Sequence, residues 1–308
     1  MNNLSVNSKQ IKSSLLLLFA SVIWGAAFVA QSVAGESIGT YTFNGIRFLI
    51  GGCCLLPLVK KQGTSIRTAP RHKLIGGVIC GTALFLASTF QQAGIAMGAD
   101  AGEAGFLTAC YIVLVPILGM FLGKKCSRLA QLAVGVALVG LYLLCFASFP
   151  SNGLFAMPLA DLMLLGCALL FSVQILSVDH YAPVMSPVTL ACVQFFVSGG
   201  LSILFAVIFE LAPDPATWIG SLSGLYAWIP ILYTGIFSSA VGYTLQAVGQ
   251  RDLNPTLASL IMSMESVFST LFGWLLLHQT MTARESVGCL LIFSAIILAQ
   301  IPYKNLKK

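Results

Sequence analysis

Apolar runs of about 20 residues, each long enough to cross the ~30 Å bilayer core as a helix, recur along the whole chain with short polar segments between them. Ten can be drawn, at 15–34, 38–59, 74–97, 101–123, 128–148, 158–178, 187–209, 225–248, 254–277 and 286–302. The pattern predicts an all-α membrane protein with ten transmembrane helices, whose connections are too short to hold a soluble domain. The first run exceeds the ~7–15 residues of a signal-peptide core and is followed at once by a second, so it reads as a retained span. Residues 1–14 read as a polar, disordered tail, and 303–308 as a basic one.

The runs also repeat. Adding 154 to each position from Leu74 to Gly123 lands on Trp228 to Leu277, and it superposes Gly81, Gln92, Ala104 and Gly119 on Gly235, Gln246, Ala258 and Gly273. Earlier in the chain an offset of 147 brings Arg47 onto Gln194 and Thr42 onto Thr189. The chain therefore divides into two copies of five helices, 15–149 and 150–302. Five is odd, so the second copy must enter the membrane from the opposite side. Inverted repeats of this kind build transporters with a central site.

Composition and charge sharpen this picture. The chain is 57% hydrophobic and 8% charged, far below the ~25% charged residues of soluble domains. The net charge of +6 does not point to nucleic acid, because of where the cations fall. With the N-terminus in the cytoplasm, all 16 basic residues except Arg47 and Arg284 lie at inner positions, the bias that orients membrane proteins. Both termini are thus expected in the cytoplasm. The nine cysteines form no CxxC and mostly lie within apolar runs, as small buried residues do. No metal site or cofactor is expected.

Two charges need an explanation. Arg47 lies about 14 Å, and Glu265 about 17 Å, into its helix at 1.5 Å per residue, near the middle of the core. An unpaired charge at that depth costs at least ~2.5 kcal/mol, so neither can face lipid. They either pair with each other as a structural ion pair or line a polar cavity. Their repeat counterparts, Gln194 and Tyr111, are polar and equally deep. Gln92 and Gln246, themselves repeat-related, complete the candidate binding set. Gln31, Gln91, Gln174 and Tyr243 could contact a substrate or merely a neighbouring helix, and Trp24 and Phe28 read as core. In the ninth run Ser259, Ser263, Ser266, Thr270 and Gly273 form a small-residue stripe suited to close helix packing, whose hydroxyls could also bond a neighbouring helix.

These residues resemble the EamA family of the drug/metabolite transporter superfamily. The resemblance rests on WGAAF at Trp24–Phe28, on Arg47–Phe48, and on MESVF at Met264–Phe268, which is similar to a Leu-Glu-Pro-Val-Phe pattern in the family's ninth helix. It extends over residues 15–301. It implies ten helices in two inverted repeats with cytoplasmic ends, and substrates among amino acids, nucleotide-related metabolites and drugs, mostly exported. There are departures. Where the family often has Gly-Glu at the ends of the fourth and ninth helices, this chain has Gly123–Lys124 and His278–Gln279. The proton-coupling glutamate of the small multidrug relatives' first helix is also missing, since Glu36 falls at the rim.

The function expected is a multi-pass plasma-membrane carrier exporting small polar metabolites, amino acids among the candidates, by alternating access. No HExxH, Gly-rich phosphate loop or nucleophile elbow suggests an enzyme. The rival readings are a membrane-embedded enzyme for a lipid-linked substrate, with Asp100 and Glu103 as the available acids, and an ion channel. The partners expected are the substrate and the bilayer, with no nucleic acid; whether the chain dimerises is left open.

Overall fold

The computed structural model describes residues 2–62, 71–124, 127–145, 158–278 and 282–300, and the regular structure in these is helical, with no strand among them. The first half comprises α1 (Asn2–Gly35), α2 (Thr40–Lys61), α3 (Arg71–Ala96), α4 (Ala101–Ala109), α5 (Tyr111–Phe121) and α6 (Arg128–Cys145). The second comprises α7 (Leu159–Tyr181), α8 (Pro187–Ala206), α9 (Pro215–Ser223), α10 (Leu225–Tyr233), α11 (Thr244–Gln250), α12 (Pro255–Met262), α13 (Met264–Leu277) and α14 (Ala283–Gln300). A π-helical stretch, Val207–Leu211, prolongs α8, and another, Thr234–Tyr243, joins α10 to α11.

Among the described residues, eight continuous helical runs are long and apolar enough to cross a membrane, against the ten read from the sequence. The fifth and tenth runs appear as shorter apolar helices, Arg128–Leu143 and Ser286–Ala299, flanked by segments outside the described residues. The bundle's outer face is apolar. Phe121 and Tyr226 are 85% exposed, and Leu225 is 77% exposed, as suits a lipid-facing surface.

The start of the chain differs from expectation. Residues 2–14 are helical and continuous with the first span. No proline or glycine interrupts Asn2–Leu15, so the α1 ladder has no reason to end there. Ser13 and Ser14 are buried. The loop at 149–157 that should join the halves, and the 303–308 tail, lie outside the described residues.

Local chemistry sets several helix ends. Asn254 caps α12 by accepting from the Thr256 amide at 2.9 Å, with Pro255 opening the helix, and Asp214 caps α9 through the Thr217 amide. Both are favoured N-cap residues. The Asp214 carboxyl is held below its usual pKa by the Thr217 hydroxyl and amide. Just past the end of α5 comes Gly123, whose φ of +75° is left-handed. Gly123 donates to Met120 O at 3.0 Å and Lys124 to Gly119 O at 2.9 Å, a Schellman cap.

The fourth run of each half is broken near its middle. Cys110 separates α4 from α5, and Ser263 separates α12 from α13. The ninth-run stripe accounts for part of this. Ser259, Ser263, Ser266 and Thr270 each donate to a carbonyl three or four residues back in their own run, at 2.7–3.0 Å. Such back-bonding loosens and bends helices. The Ser266 carbonyl also accepts from Ser269 of the same helix at 2.9 Å.

Packing follows a regular scheme. α2 lies along α8, and α6 along α14. α3 lies along α7, and α1 along α10, the π stretch and α11. α13 packs against α1 and α4, while α5 packs against α7 and α12. Glycines permit close approaches at equivalent places. A Cβ on Gly81 would stand 2.7 Å from Gln194 O, and one on Gly235 3.1 Å from Arg47 O.

Candidate functional site

Midway along the bundle the broken runs, α1, α2, α3, α7 and the long π stretch converge on a small polar cavity. Its free volume is about 30 Å³, room for a water or two. α1 contributes Trp24, Phe28 and Gln31; α2, Arg47; α3, Gln91; and α5, Tyr111. From the second half come Phe171 and Gln174 of α7, Ser238 and Tyr243 of the π stretch, Gln246 of α11 and Glu265 of α13. Tyr111 opens α5 and Glu265 lies in the first turn of α13. Both therefore sit beside helix N-termini, where partial positive charge favours an anion.

The arginine is 2% and the glutamate 5% exposed, and no ion pair joins them. Arg47 donates instead from Nη1 to Gln31 Oε1 at 3.1 Å. Its guanidinium lies 4.7 Å from the Phe48 ring centroid and 5.1 Å from that of Phe43, and each such contact is worth ~0.5–2 kcal/mol. The Glu265 carboxylate faces the Tyr111 hydroxyl, which closes no hydrogen bond. The ion-pair alternative is thus set aside, and the two charges share a cavity.

The remaining candidates fall around these charges. Tyr111 and Gln246 line the cavity directly. Gln92 and Gln194 stand one layer behind and hold the lining in place. Gln92 Nε2 donates to Gln31 O at 3.1 Å, and Gln194 Oε1 accepts from Gln174 Nε2 at 3.4 Å. Gln174 Oε1 in turn accepts from Gln246 Nε2 at 3.1 Å. The halves therefore carry matching clamps: Gln31 on α1 ties α2 and α3 through Arg47 and Gln92, and Gln174 on α7 ties α8 and α11 through Gln194 and Gln246.

The clamps leave atoms over. Arg47 Nε, Gln92 Oε1, Tyr111 Oη, Gln194 Nε2 and Gln246 Oε1 are all buried without a hydrogen-bond partner, whereas most buried polar atoms are paired. Five of the six residues singled out from the sequence thus retain unused hydrogen-bonding capacity at this depth.

Sequence reasoning left several lining residues undecided or in the core. Gln31, Gln91 and Gln174 are glutamines within apolar runs, which usually make helix contacts. Trp24 and Phe28 have the one-turn spacing of a core stripe, yet both line the cavity. Trp24 Nε1 donates to Ser238 O at 3.2 Å, and its ring lies 5.0 Å from that of Tyr243. The π stretch that presents Ser238 and Tyr243 has no plain sequence signature, although π-helices gather at functional sites.

Known proteins resemble this chain along nearly its whole length. The profile of the EamA-like transporter family matches residues 11–146 and 158–300. An uncharacterized transporter of Archaeoglobus fulgidus is 30% identical over 298 residues, 95% of this chain and 87% of that protein. The uncharacterized transporter YoaV of Bacillus subtilis is 21% identical, over 96% of this chain and 99% of its own. A chloroplastic WAT1-related protein of Arabidopsis thaliana is 28% identical, over 94% of this chain and 70% of its own. One solved crystal structure shares the fold with a TM-score of 0.76 at 19% identity, covering 96% of this chain and 99% of its own. Both the profile and the relatives span the two halves that meet at the cavity, and the chain belongs to the EamA-like transporter family, as a multi-pass membrane transporter.

Proposed function

We propose that this protein exports small polar metabolites, amino acids among them, across the plasma membrane by alternating access at the central cavity. The observation that carries this reading is the set of unpartnered polar atoms on Arg47, Gln92, Tyr111, Gln194 and Gln246, gathered around a buried Arg47 and Glu265 that do not pair. A ligand with its own hydrogen-bonding groups would satisfy those of Arg47, Tyr111 and Gln246, which line the cavity. The charge arrangement suits a zwitterion: Arg47 meets a carboxylate, and Glu265 an ammonium beside the rings of Trp24 and Tyr243.

The packing scheme supports an inverted repeat of ten helices. Exchanging α1 with α7, α2 with α8, α3 with α10–α11, α4 with α12, α5 with α13 and α6 with α14 maps the main contacts onto one another. The α2–α8 and α6–α14 pairs map onto themselves. Such a two-fold relation provides two alternative packings of equal kind around a fixed site, which is what alternating access requires. At about 30 Å³ the cavity is too small for an amino acid, so the halves must part for substrate to enter.

Comparing metabolites inside and outside cells, with and without the protein, tests this. Export should raise a polar metabolite outside cells expressing the natural chain. Arg47→Gln and Glu265→Gln should each lower its flux by about tenfold or more, the effect of one hydrogen bond to a charged group, with unchanged protein in the membrane. Normal flux in both variants would sink the site.

A further inference from the structure

Two contacts tie one half of the molecule to the other at opposite ends of the bundle. At one end Glu210, in the π stretch after α8, reaches the start of α2. Its carboxylate accepts from the Tyr41 amide at 2.8 Å, the Thr42 amide at 2.8 Å and the Thr42 hydroxyl at 2.6 Å. The first amides of a helix have no partner within it, and they attract an anion. Trp218 of α9 adds a bond from Nε1 to Thr42 Oγ1 at 2.7 Å. At the other end the Schellman cap of α5 turns Lys124 back onto α7, where its Nζ lies 2.6 Å from Asp179 Oδ2.

We infer that Glu210 and the Lys124–Asp179 pair are positioning latches that hold the two mouths of the cavity shut, one at each end. This rests on the alternating-access reading. Each latch joins helices from different halves, and both are closed around a cavity of about 30 Å³. α5 and α7 carry cavity residues, Tyr111 and Gln174, so parting them opens a path to the site.

The repeat shows that the latches are one-sided. At the offset of 147 the counterpart of Glu210 is Gly63, and at 154 that of Lys124 is His278, while the register that matches Gln31 with Gln174 sets Asp179 on Glu36. The first place holds no carboxylate, and among the described residues no ion pair joins His278 to Glu36. At the other end of the α2–α8 pair Ser186 Oγ donates to Gln62 Oε1 at 2.6 Å, a neutral, exposed bond. Each mouth therefore has one charged fastening of its own. A crevice of about 610 Å³, lined by Ile79, Leu118, Leu122, Val173 and Leu176, lies beside the Lys124 latch.

The test needs no known substrate. The nine natural cysteines are replaced, and Ser238→Cys reports on the cavity. A membrane-impermeant maleimide is applied to right-side-out and inside-out vesicles, and labelling from the two faces is compared. Glu210→Gln should raise labelling from the face where α2 begins about tenfold. Asp179→Asn should raise it from the opposite face about threefold. Exchanging the pair, Lys124→Asp with Asp179→Lys, should restore the parent ratio, which a merely structural role would not do. Both single variants keep side-chain volume, and a single symmetric elution peak verifies folding. Ratios unchanged in folded single variants overturn the latches while leaving alternating access in place. A reporter that labels from neither face in the parent or in either variant, yet labels when unfolded, overturns alternating access and the latches with it.

Discussion

At the scale of single residues the site is a question of who holds whom. Gln31 is the hinge of the first clamp: its side chain accepts from Arg47 and its carbonyl from Gln92. Replacing it with leucine keeps the apolar volume but leaves Arg47 free to turn. Gln31→Leu should weaken ligand binding by about tenfold, the worth of a bond to a charged group, read as a smaller ligand-induced thermal shift. An unchanged shift would place Arg47 outside the binding set. Arg47 and Glu265 could be read from the sequence because a charge at mid-depth has few explanations. Gln31 could not, because glutamine hydrogen-bonds equally well to a helix neighbour and to a ligand, and only the neighbour's position tells which.

At the scale of elements, the repeat places small residues where helices meet. Gly81 and Gly235 are matched by the offset of 154, and each lets a backbone approach a site residue, Gln194 in one half and Arg47 in the other. A side chain at Gly81 must push α3 from α8. Gly81→Leu should cost about 1–3 kcal/mol through overpacking, measured as a lower unfolding midpoint of the purified protein. Gly135, whose surroundings are open, provides the control: Gly135→Ala should leave the midpoint nearly unchanged. The helices themselves were legible from their apolar runs. The breaks at Cys110 and Ser263 were not, because a serine stripe reads as packing until its hydroxyls are seen to bond their own helix.

At the scale of the whole molecule, the proposed topology makes a direct prediction. A fluorescent reporter that matures only in the cytoplasm should shine when fused to either terminus, and a periplasm-active enzyme fused at 149–157 should be active. The opposite pattern would reverse the orientation drawn from the basic residues. By itself the sequence determined that the chain lives in a membrane as helices, since water cannot solvate a surface this apolar. It also pointed to a repeat, because small and polar residues recur at matching offsets. Only the tertiary structure decided that Arg47 and Glu265 share a cavity without pairing, and that the glutamines form matching clamps. It alone brought Glu210 to α2 and Lys124 to Asp179. Residues far apart in the chain, 168 positions in the case of Glu210 and Thr42, meet through the packing of whole helices, and periodicity along one helix carries no record of which face its neighbour will take.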